Sequence, residues 1–137
     1  MCIRDRIKIG EQIHFKVPVS GNNSKGYKYG KELDINLWMS YRILNELSGS
    51  VKLTYNYKDK MSGSDNEMNK RMSPAMDSRN QGYNKLEVGF GLNFINHKDF
   101  MRNNRLGIEL TSPVYQNFRG IQMSNSLNSI IGWQYSF

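Results

Sequence analysis

The stretch that decides the fold is "SLNSIIGWQYSF" (126–137). Leu127, Ile131, Trp133, Tyr135 and Phe137 share one parity, while Ser126, Asn128, Gly132, Gln134 and Ser136 share the other. Successive side chains of a β-strand point to opposite faces, so the spacing predicts a strand with one apolar and one polar side. Chain ends usually fray in water, so an aromatic as the final residue calls for an explanation.

Period two recurs upstream. In "IKIGEQIHFKV" (7–17), Ile7, Ile9, Ile13, Phe15 and Val17 alternate with Lys8, Gly10, Gln12, His14 and Lys16. "ELDINLWMSYR" (32–42) sets Leu33, Ile35, Leu37, Met39 and Tyr41 against Glu32, Asp34, Asn36, Ser40 and Arg42, with Trp38 as the exception. "LSGSVKLTYNYK" (47–58), "KLEVGFGLNF" (85–94) and "RLGIELT" (105–111) repeat the pattern. One alternating run is weak evidence for a half-covered strand, but six in succession predict an all-β antiparallel up-and-down meander.

The connections alternate as well. "ILNE" (43–46) is short and "INHKDFMRNN" (95–104) moderate, whereas the segments 20–31, 59–84 and 112–126 are longer and rich in Gly, Ser, Asn and Pro. In a meander this puts every long connection at one end of the sheet. Outer-membrane barrels share that asymmetry, with short periplasmic turns and long outer loops. Met61, Met68, Met72 and Met76 lie in the longest loop. Their irregular spacing, with no His or Cys nearby, favours a polar loop over a soft-metal site.

Composition narrows the choice. The chain has 137 residues, is 38% hydrophobic and 12% aromatic, and carries a formal net charge of +7. No run approaches the roughly 18 apolar residues of a membrane helix. A mean hydropathy of −0.66 is compatible with a membrane barrel, where only alternate residues meet lipid. The basic residues are scattered and match no nucleic-acid motif, so no nucleic-acid partner is expected. Cys2 is the single cysteine, which excludes an intrachain disulfide or a cysteine metal cluster.

"MCIRDR" (1–6) can be encoded by the mosaic end of a transposon-based sequencing adapter read in frame. Residues 1–6 are therefore expected to be a scar, and 7–137 the C-terminal portion of a barrel whose first strands and signal peptide lie upstream. Strand number agrees: bacterial single-chain barrels start at eight strands, and an open edge is not viable in lipid.

The apolar face must meet either lipid or a second sheet, as in a soluble sandwich. The alternating runs approach the 9–11 residues that cross a bilayer, and aromatics gather near run ends, as in interfacial girdles. The polar face then supplies candidate lumen-lining residues: Lys8, Gln12, His14, Lys16, Glu32, Asp34, Asn36, Arg42, Lys52, Asn56, Lys85, Glu87, Arg105 and Glu109. They can line an open corridor or pair as a closed salt-bridge network. A barrel enzyme would need a nucleophile, a base and an orienting group. The two histidines, His14 and His97, lie in no such motif, so neither catalysis nor a cofactor is expected.

"PVYQ" (113–116), Gly120 with Gln122, and the closing "GWQYSF" resemble the end of a family of bacterial outer-membrane proteins. That family is named for a role in the meta-pathway of phenol degradation and is often labelled "transporter". "GYKYG" (26–30), "ELDINLWMSYRI", "ELSGSVKLTYNY", "SPAMDSRNQGYNKLEVGFGLNF" and "RLGIELTSPVY" extend the likeness from about Ile7 onward. The resemblance implies an outer-membrane channel for small molecules, aromatic or otherwise hydrophobic. The alternative is a non-transporting barrel that serves as a scaffold or surface-interaction module. Gly132, Trp133, Tyr135 and Phe137 also resemble the C-terminal signal read by the outer-membrane barrel assembly machinery. That machinery and outer-membrane lipid are the implied partners.

Overall fold

The computed structural model describes residues 6–19, 21–63, 72–74, 77–95 and 104–135. Its strands are β1 (Ile7–Lys16), β2 (Tyr27–Lys28), β3 (Glu32–Arg42), β4 (Leu47–Lys58), β5 (Ser62–Gly63), β6 (Tyr83–Ile95), β7 (Asn104–Phe118) and β8 (Asn128–Tyr135). The six long strands form one antiparallel sheet in the order β1-β3-β4-β6-β7-β8, the meander predicted from the alternation. The sheet is open, with β1 and β8 at its edges. The pair β2–β5, which the alternation does not reveal, links the first two long loops.

Register keeps like with like. Ile9 faces Met39, Ile35 faces Tyr55, Val51 faces Phe90, Leu92 faces Ile108, and Ile108 faces Ile131. A slip of one residue would move every apolar side chain to the other face. The short turn closes "ILNE" with Ile43 N–H and Leu44 N–H both donating to the Leu47 carbonyl, at 2.9 and 3.0 Å.

Segment 112–126 departs from its reading as a loop. β7 runs on through "SPVYQNF", and "PVYQ" is strand rather than turn. The register shifts between Leu86 and Glu87, which pair with Tyr115 and Pro113, so Val114 is the extra residue of a β-bulge. A bulge tolerates proline, which has no N–H for the ladder. It also resets parity, placing Tyr115 opposite apolar Leu86 and Gln116 opposite Lys85. The last strand is shorter than its alternation suggests. It starts at Asn128, and Ser136 and Phe137 lie outside the described residues.

Burial is inverted relative to a soluble domain. Among the described residues no hydrophobic side chain is buried, whereas Thr54, Glu87 and Thr111 on the polar face are only 7–9% exposed. On the other side Ile9 is 77%, Phe90 63% and Trp133 72% exposed. Each such side chain gains roughly 1.5–3 kcal/mol on leaving water. Leaving the whole face bare forfeits on the order of tens of kcal/mol, more than the roughly 5–15 kcal/mol that stabilises a domain. Something outside the described sheet must cover it.

Glu11 breaks the pattern. It shares parity with Ile9 and Ile13, lies opposite Leu37, and is exposed on the apolar side of an edge strand. A carboxylate there opposes covering of the apolar face, whatever covers it. Glu11→Leu is therefore expected to stabilise the fold by about 1–2 kcal/mol, measured by urea titration.

Candidate functional site

Strand register assembles the polar face into rungs that cross the sheet. All fourteen candidate residues fall on this face. At the loop end, Glu32 lies between Lys16 and Lys58 and bonds both, at 3.4 and 2.9 Å. One rung in, Asp34 accepts from Asn56 Nδ2 at 2.7 Å and lies 3.4 Å from His14 Nδ1. Lys85 continues that rung beside Asn56. Next come Gln12, Asn36, Thr54 and Glu87, where Thr54 donates to Asn36 Oδ1 at 2.9 Å. Cross-strand pairs of this kind contribute roughly 0.2–1 kcal/mol each.

Glu87 is the most enclosed charge. Its Oε1 lies 3.1 Å from Lys85 Nζ, close enough for an ion pair but not aligned as a hydrogen bond, so this oxygen keeps free acceptor capacity. Gln116 Oε1, on the adjacent rung, is also buried without a donor. Gln116 Nε2 donates to the Asn125 carbonyl at 2.7 Å.

Two features of the middle rungs sit over glycines. Lys52 Nζ on β4 reaches Glu109 Oε1 on β7 at 2.8 Å, spanning the intervening strand β6. Gly89 lies beneath that bridge: a Cβ there would stand 3.5 Å from both Glu109 Oε1 and Lys52 Cβ. Thr111 Oγ1 adds a donor to Glu109 at 3.3 Å. Trp38, the exception to alternation on β3, stands over Gly10, its cross-strand partner. The indole occupies the place of the missing side chain, an aromatic cover for a strand glycine.

A Cβ at Gly10 would collide with the Trp38 indole ring. Gly10→Val is expected to swing the indole off β1, at about 1–3 kcal/mol. In a Trp133→Phe background, a shift in Trp38 emission reports the displacement.

At the turn end Arg105 donates to Asn93 Oδ1 at 3.0 Å. Lys8 and Arg42 have no side-chain partner among the described residues. Ile130, the apolar departure in β8, lies opposite Glu109 on the polar face.

The loop end is knitted together. Arg119 Nη1 bonds Asp59 Oδ1 at 3.2 Å, Gln122 Nε2 donates to the Gly82 carbonyl at 2.8 Å, and Ile121 N–H donates to Asn80 Oδ1 at 3.2 Å. Gly120, with φ of 82°, packs against Asn80 in a conformation that side chains disfavour. Tyr27 and Tyr29 meet edge to face at 5.6 Å. Tyr27's hydrogen bond, and then its charge, push the Tyr29 phenol above its ordinary range.

Of the four residues expected to form an assembly signal, Gly132, Trp133 and Tyr135 lie on β8, while Phe137 lies outside the described residues. Trp133 Nε1 donates to Asn104 Oδ1 at 2.9 Å, tying the end of β8 to the start of β7. Met68, Met76 and His97 also lie outside the described residues.

The polar parity was legible in advance, but the roles of Thr54, Gly89, Gly10 and Gln116 were not. Glycines of polar parity in "EVGFGLN" and "IKIGEQ" were the available signal. Among the described residues no helix is long and apolar enough to cross a membrane, and no three His, Cys, Asp or Glu are placed to hold a metal ion. The fold and site thus define an antiparallel meander with a bare apolar side and a polar, ion-paired side. Comparison with protein-family models, curated proteins and solved structures finds no match to this chain.

Proposed function

We propose that this chain is the C-terminal portion of a bacterial outer-membrane β-barrel that passes small solutes along its polar face. The observation that carries the reading is the inverted burial: the shielded side chains are Thr54, Glu87 and Thr111, while isoleucines and aromatics stand bare. A soluble sandwich would need a second sheet over that face. The only other sheet among the described residues is the two-residue pair β2–β5. Long strands of 8–15 residues match the span of a tilted membrane strand. In lipid the open edges of β1 and β8 need further strands, because every backbone group must be paired there.

The polar face would form the wall of a wetted lumen whose charges set selectivity. The resemblance to the phenol-pathway "transporter" family supports aromatic or hydrophobic solutes, and the β8 residues with Phe137 would serve as the assembly signal. Planar-bilayer recording of the full-length protein tests the reading, with stepwise conductance expected. A protein that folds into the bilayer yet passes no current would favour the scaffold or surface-interaction alternative. The knitted loop end, held by Arg119–Asp59 and Gln122–Gly82, is the observation behind that second reading.

A further inference from the structure

The charges of the polar face are unevenly distributed along the strands. In the three rungs from Gln12 to the loop end, three lysines face three carboxylates, and every carboxylate is within 3.4 Å of a basic or amide group. From the Gly10–Trp38 rung to the turn end the balance fails. Among the described residues of this face, Lys8, Arg42, Lys52 and Arg105 face Glu109 alone, and Lys52 already neutralises it. Lys8, Arg42 and Arg105 are exposed, and none has a carboxylate partner among the described residues. Glu46, in the adjoining turn, and Arg6, just before β1, carry opposite charges and leave the formal balance of this end unchanged.

Resting on the channel reading, we propose that Lys8, Arg42 and Arg105 form a cationic zone at the turn end of the lumen, so that the solutes passed are preferentially small anions such as carboxylates. Unpaired cations on a low-dielectric wall concentrate counter-ions and exclude cations. At about 0.1 M salt the field reaches about 10 Å, enough to fill a narrow lumen. The paired loop half adds little, because each of its charges is cancelled nearby. Selectivity is therefore decided at the turn end, where rings of like charge act as filters.

The test is the reversal potential of the full-length protein in a planar bilayer under a potassium chloride gradient, repeated with potassium acetate. The expected result is several-fold greater permeability to the anion than to potassium. Combined Lys8→Gln, Arg42→Gln and Arg105→Gln substitutions are expected to bring the ratio to about one. Lys28→Gln, Lys31→Gln and Lys60→Gln together remove the same charge from the loops and should leave the ratio unchanged. Lys8→Gln and Arg42→Gln singly, each at an exposed side chain without a partner, should give partial shifts and guard against a misfolded triple variant. A conducting wild type without anion preference, or equal shifts from the loop and turn-end variants, overturns the cationic zone while leaving the channel reading intact. Absence of any conductance overturns both.

Discussion

Phe90→Lys is expected to weaken folding into phosphatidylcholine vesicles by about 2–4 kcal/mol, roughly 30- to 700-fold in the equilibrium. Phe90 sits mid-strand on β6, between Val51 and Leu110, and is 63% exposed. In lipid a lysine there must carry its charge to the bilayer centre. Two comparisons separate lipid from a protein cover. Gln12→Lys, on the polar face, should stay within about 0.5 kcal/mol of the parent. Leu106→Lys, near the turn end opposite Trp133, should cost only about 0–1 kcal/mol, because the penalty falls toward the interface. A face covered by another protein has no reason to follow bilayer depth, so equal penalties at Phe90 and Leu106 would sink the lipid reading.

Glu87→Gln should cost about 2–3 kcal/mol, near the lower end for breaking a buried pair. Its carboxylate side chain is 9% exposed, and that of its partner Lys85 19%. Losing the carboxylate strands the ammonium in a partly dehydrated place, and the stranded charge contributes most of the loss. Glu87→Gln combined with Lys85→Gln should therefore recover most of the stability. Urea titration of the four proteins of the cycle gives the coupling between the two residues. Coupling below about 0.5 kcal/mol would mean that water already screens the pair. Glu109→Gln is expected to be milder, about 1 kcal/mol or less, because the Lys52–Glu109 bridge is about a third exposed.

Strand order, facing and the polar wall could be read from period two because each strand has one apolar side and one polar side. Leu33 through Tyr41 and Leu86 through Phe94 announce their faces residue by residue, and register then follows. The exceptions needed three dimensions. Trp38 looks misplaced until β1 brings Gly10 beneath it. "SPVYQ" reads as a loop because proline lacks the ladder N–H, and only pairing with β6 reveals the bulge that accepts it. Glu11 is at odds with its face, opposite Leu37.

By itself, the sequence determined the two-sided strands, their antiparallel succession and the identity of the polar wall, since these depend on local alternation. The tertiary structure alone decided which charges cancel. Lys52 and Glu109 are 57 residues apart and meet only because β6 sets their strands one place apart in the sheet, with Gly89 beneath the bridge. The same pairing leaves Lys8, Arg42 and Arg105 without carboxylate partners among the described residues at the turn end. Ion pairing depends on distances between strands, and no period along the chain encodes them.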